Sequence, residues 1–169
     1  MKLHIGGEMK EVGWKIYNIQ EADYVDIVGD IRDLSQFEDE SLEMIYASHV
    51  LEHVPQNEVT KTLQGIYRVL RKDGYFYCSV PNLEALAKLF LSEKLRLDQR
   101  WGVMEMIFGA QKDENDFHYV GWTLDFAKYF FGVSGFKTLK SVNSFNLFDD
   151  SSELKPFGIQ ISLNLIAKK

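Results

Sequence analysis

The sequence predicts an α/β fold: a mostly parallel sheet flanked by helices, with an antiparallel hairpin at its C-terminal end. Three observations carry this. Short apolar runs stop at glycine or polar turns. Helix-period segments lie between the later runs. Two alternating runs, close enough to pair, end the chain.

The elements follow in order. Lys2 to Ile5 is apolar and stops at Gly6-Gly7, which suits a strand entering a tight turn. Trp14 to Ile19 reads as a second strand. About eight residues separate the two, fewer than a parallel crossover usually needs, so the first crossover helix is short or absent. Val25 to Val28 is a third run, closed by Gly29-Asp30, and Leu42 to Ala47 is a fourth. Val59, Leu63, Ile66, Tyr67 and Leu70 share one helical face, and Lys72-Asp73-Gly74 supplies helix-stop signals. Tyr75 to Val80 is a fifth strand, ended by Pro81-Asn82.

Leu83, Leu86, Ala87, Phe90 and Leu91 form a second helical face. From Ser92 to Val120 the periodicity weakens, and aromatic and Met residues alternate with charges, as expected of a lid or insertion at 92–122. Thr123 suits the N-cap of a helix carrying Phe126, Tyr129 and Phe130. Phe136 to Val142 and Phe157 to Ala167 read as the terminal hairpin, with Asn143 to Lys155 as a long connection. With no repeat or low-complexity linker, residues 1–169 read as a single domain.

Composition narrows the function. The formal net charge is −6 and the basic residues are scattered, which argues against nucleic acid as a partner. No stretch approaches the ~18 apolar residues of a membrane span, and no secretory signal is visible. The expected location is cytoplasmic, with no membrane partner. The single cysteine, Cys78, lies in an apolar strand and reads as a small core residue.

In an open α/β sheet, ligands bind beyond the carboxyl ends of the strands. The strand-end residues are Gly6-Gly7-Glu8, Asn18-Ile19-Gln20, Asp30-Ile31-Arg32, Ser48-His49 and Pro81-Asn82. Glycines at Gly6 and Gly7 allow close backbone approach. Asn18 suits a ribose, and Asp30 suits an exocyclic amine, with the Ile31 backbone beside it. His49-Val50-Leu51-Glu52-His53 has the H-x-x-E-H spacing of a zinc-protease helix. Pro55 makes a continuous helix there unfavourable. A zinc metalloprotease is therefore only a distant alternative, and no metal is expected.

Taken together, Lys2-Leu-His-Ile-Gly-Gly7, Val28-Gly-Asp-Ile-Arg-Asp-Leu34, Ala47-Ser-His-Val-Leu-Glu-His53 and Tyr67-Arg-Val-Leu-Arg-Lys-Asp-Gly74 resemble the class I S-adenosylmethionine (SAM)-dependent methyltransferases, in particular small bacterial predicted ones. His118 to Phe126 is similar to the later H-x-x-G-x-T segment of that family. The resemblance implies a Rossmann-like sheet of the seven-stranded type and SAM as cofactor. By position, Gly6 and Gly7 would approach the amino acid part of SAM. Asn18 would sit at the ribose, Asp30 and Ile31 at the adenine, and Ser48 and His49 along the pocket, with Ile19 also among the cofactor-binding residues. His53 and His118 are the candidate proton acceptors for transfer to a hydroxyl or amine of a small-molecule or glycan-like acceptor.

Two departures accompany the resemblance. Glu8 stands where the family has a further glycine, and Asn18 stands where it has a carboxylate. A charge-assisted hydrogen bond contributes about 1.5–3 kcal/mol against about 1 for a neutral one, so SAM binding is expected to be weaker than usual. The alternative is a catalytically weak or inactive relative used for binding or scaffolding. The aromatic residues Trp101, Phe108, Phe117, Tyr119 and Trp122 read mostly as core, with a few suited to an acceptor pocket or a homodimer contact.

Overall fold

The computed structural model describes residues 1–169. Seven strands form one sheet: β1 (Lys2–Ile5), β2 (Trp14–Asn18), β3 (Ile27–Val28), β4 (Leu42–Ser48), β5 (Leu70–Pro81), β6 (Thr138–Val142) and β7 (Ser162–Lys168). Their spatial order is β3-β2-β1-β4-β5-β7-β6. The pairs β1–β2, β1–β4, β2–β3 and β4–β5 are parallel, and β7 runs antiparallel to both β5 and β6. The α/β class, the mostly parallel sheet and the terminal antiparallel hairpin are as the sequence predicts. No helix joins β1 to β2; a short loop does so instead.

Alternation along each strand sorts side chains onto two faces. Leu3, Ile5, Ile45, Ala47, Phe76, Cys78, Val80, Leu163 and Leu165 share one face. There they meet Val59, Leu63 and Ile66 of helix α1 (Val59–Val69) and Ala127 and Phe131 of helix α4 (Leu124–Val133). Cys78 is buried there, and burial pushes its thiol pKa up, so it serves as a small apolar filler. The other face carries His4, Trp14, Tyr46 and Tyr77, covered by the chain between β6 and β7. Phe148 packs 4.3 Å from His4 and 4.5 Å from Tyr46, and Phe145 packs 5.7 Å from Tyr77.

Thr123 caps α4 as expected, its hydroxyl accepting from Phe126 N. Asn82 caps α2 (Leu83–Phe90), accepting from Glu84 N and Ala85 N. The stretch read as a weak lid contains helix α3 (Leu97–Phe108), which packs on α2 through Leu86, Leu89 and Val103.

Several element ends differ from the sequence expectation. Leu70 lies on the predicted helical face but is already extended and pairs with Leu42. Residues 71–74 bulge from the ladder, with Asp73 at φ 63°, and register resumes at Tyr75. Lys72-Asp73-Gly74 therefore shapes a bulge rather than ending the helix. Phe157, expected in the last strand, sits in a short 3₁₀ turn at φ 55°, and β7 starts at Ser162.

Candidate active site

Direction changes between β1 and β4, because successive parallel strands leave β1 on one side and continue at β4 on the other. That is the switch point where an α/β sheet opens a crevice. An open cleft of about 430 Å³ lies there, lined from the strand ends by Gly6, Asn18, Asp30, Ile31 and His49. The volume falls in the range of small-molecule sites.

The local backbone explains the opening. Gly6 turns the chain off β1 at φ 74°, and a Cβ there would strike the Val50 side chain. Its N–H donates to Tyr17 O at 2.8 Å. His49 leaves β4 at φ 54°, a left-handed conformation uncommon outside glycine. Leu51 to His53 then form only a 3₁₀ turn. The two histidines of H-x-x-E-H therefore do not share a helix, as Pro55 led us to expect.

The polar groups at the strand ends are tied to one another. Asn18 Nδ2 donates to Gly7 O at 3.2 Å, while its Oδ1 accepts from Gln20 N at 3.1 Å. The amide thus ties the turn after β1 to the turn after β2, which a carboxylate could not do because it has no donor. Asp30 accepts from Arg32 N at 2.8 Å and from Arg32 Nε and Nη2 at 2.9 and 2.5 Å. Burial favours its neutral acid, but these bonds and the Arg32 charge outweigh it and hold Asp30 below the usual carboxylate range.

The sequence-predicted residues divide by location. Gly6, Asn18, Ile19, Asp30, Ile31, His49 and His53 line the main cleft. Gly7 and Ser48 line a neighbouring cavity of about 440 Å³, which shares Gly6, Glu8 and His49 with the first. His118 lies behind His53, their rings 4.8 Å apart edge to face. Glu8 sits on the rim of both cavities, and the far wall of the main cleft is Asp113, Glu114, Asn115 and Asp116.

Two histidines are shifted in opposite directions. Burial lowers the His49 pKa, but contact with Glu52 and the charges of Glu52 and Asp150 raise it by more. Burial also lowers the His118 pKa; Glu52 pulls the other way, but the net shift is downward and favours the neutral ring.

Sequence reasoning missed Arg32 as the partner of Asp30 and the acidic wall at Asp113–Asp116. The Asp-x-Arg spacing was a visible signal for the first. Nothing local marks the second, because it reaches the cleft only through the course of the chain after α3.

The family described as a methyltransferase domain matches residues 2–78, which span β1 to the middle of β5. Whole-chain similarity to solved structures covers 99% of this chain. A SAM-dependent methyltransferase from Archaeoglobus fulgidus shares 15% identity at TM-score 0.61, with 85% of its own chain covered. One from Methanosarcina mazei shares 18% at TM-score 0.60, with 91% covered. The trans-methyltransferase CalH, solved in complex with SAH, shares 15% at TM-score 0.58, with 50% covered. No curated protein matches. The chain is thus similar to a methyltransferase domain over residues 2–78, and over its whole length it shares the fold of SAM-dependent methyltransferases.

Proposed function

We propose that the protein transfers a methyl group from SAM to a hydroxyl or amine of a small-molecule or glycan-like acceptor. The observation that carries this reading is the cleft at the β1/β4 switch point, which gathers the ends of β1, β2, β3 and β4 in one place.

The residues fit the cofactor. Gly6 presents backbone without a Cβ, and Asp30, Ile31 and Asn18 offer polar groups and main chain for a nucleoside. Ser48 and His49 continue the wall toward the second cavity. SAM supplies an activated methyl, so the chain's task is alignment and, for a hydroxyl or amine, removal of a proton. His53 lines the cleft and can take that proton. His118, favoured neutral, packs against it and positions its ring. The 92–122 segment, with α3 and the acidic wall, would act as the lid.

Isothermal titration with SAM and its demethylated product tests this. Binding is expected, and Asp30→Ala should weaken it by roughly tenfold or more, since a charge-assisted contact contributes about 1.5–3 kcal/mol and about 1.4 kcal/mol is tenfold. Absence of binding at millimolar ligand would refute the reading. Binding without turnover on any acceptor would favour the catalytically weak or inactive alternative.

A further inference from the structure

Glu52 is wholly buried, yet neither of its carboxyl oxygens has a hydrogen-bond partner. His49 Nδ1 lies 3.2 Å from Oε1, close enough for an ion pair when that ring is protonated, but makes no hydrogen bond to it. A buried carboxylate without donors is costly, and such groups are normally paired or coordinate a metal. A second unsatisfied atom, His118 Nδ1, is also buried.

The third group is oriented from behind. His53 Nδ1 lies 3.1 Å from Phe117 O. A carbonyl can only accept, so Nδ1 carries the proton and Nε2 is left with its lone pair. An imidazole held in this way is oriented as metal-binding histidines are.

Hydrogen bonds to the main chain bring the three together. Tyr119 N donates to Glu52 O at 2.8 Å, Gln56 Nε2 donates to Tyr119 O at 2.8 Å, and His118 N donates to Phe108 O at 3.1 Å. One ligand atom each from Glu52, His53 and His118 lies within 4.8 Å of the others. Bonds of about 2.0–2.1 Å around a tetrahedral zinc ion set donors roughly 3.4 Å apart. A modest inward rotation of His53, which stands at the cleft, closes the difference. The acidic wall at Asp113, Glu114 and Asp116 favours entry of a cation.

We propose that Glu52, His53 and His118 form a site for one divalent transition-metal ion of the zinc type, with an open position facing the cleft. Two imidazoles and a carboxylate suit that class of ion. This reverses the sequence expectation of no metal, but by a different set from the protease pattern. Glu52 is a ligand here, not a base, and His118 takes the place of His49. The inference does not depend on the SAM reading, but a metal held on His53 Nε2 uses the lone pair that the proposed function assigns to proton removal, so with metal bound that ring is a ligand and not the proton acceptor.

The test uses the full chain, stripped with a chelator and dialysed. It is titrated with Zn²⁺ by calorimetry and with Co²⁺ by visible absorption, with far-UV circular dichroism as the fold control. One equivalent is expected to bind, with d–d bands from Co²⁺. His118→Gln should cost more than the roughly 10–100-fold that disturbing a supporting contact costs. No stoichiometric binding at submillimolar metal, or equal binding by wild type and His118→Gln, overturns the proposal. Glu52→Gln should also abolish binding; if it fails to fold, His118→Gln decides. Because no SAM is present, metal can bind even if the methyltransferase reading fails, and the reverse also holds.

Discussion

Leu3, Ile45, Phe76 and Leu165 point to one face of the sheet and meet α1 and α4. His4, Trp14, Tyr46 and Tyr77 point to the other and meet the connection between β6 and β7. The first face is closed mainly by aliphatic and aromatic packing, with few polar contacts such as Ser134 donating to Thr60 O. The second is held by mixed chemistry: Tyr46 donates to Asp150 at 2.7 Å, Ser79 donates to Asn164 at 2.7 Å, and Asn164 donates to Asn143 O and Ser152 O. The difference teaches that the helical face supplies stability that depends little on pH, whereas the other face ties stability to the protonation of its polar groups.

The largest way to break this comparison is on the helical face. Leu63 is fully buried in the core against the sheet. Leu63→Ala should lower unfolding free energy by about 2–5 kcal/mol, by the same amount at pH 7 and pH 5, as read by urea unfolding at both.

A smaller effect sharpens the contrast on the other face. Burial lowers the His4 pKa to about 4, and the charge of Asp150 offsets only part of that. The unfolded chain, with a histidine near 6.5, binds the proton first. Stability should therefore fall as pH drops from about 6.5 to about 4 and level off below, by up to about 3 kcal/mol. His4→Phe removes a ring nitrogen that has no partner and should flatten this dependence. An unchanged pH slope in the variant would contradict the assignment.

Legibility in the sequence follows the same division. The helical face was readable because α1 repeats Val59, Leu63 and Ile66 at helical spacing and Thr123 announces α4. The other face was not, because the residues covering it look like an ordinary polar connection until Phe145 and Phe148 are seen on the sheet. Helix α3 was hidden for a related reason. Only Val103 is fully buried in it, while Leu97, Trp101 and Phe108 stay exposed, so no clean apolar stripe forms.

At the candidate site, strand-end residues such as Gly6, Asn18 and Asp30 could be picked out because topology alone sends strand ends to the cleft. The meeting of His118 with Glu52 and His53 could not be, since it depends on how residues 117–119 hydrogen-bond onto residues 52–56, far away in sequence. The engagement of Asn18 with Gly7 O was likewise invisible, although it explains why an amide serves that position.

The claim that the cleft at the β1/β4 switch point is a SAM site is tested most directly by a crystal structure soaked with the demethylated cofactor product. The account predicts its nucleoside between the Gly6 turn and Asp30, with its sulfur on the side of His53. Product bound elsewhere, or an empty cleft at saturating concentration, would contradict it.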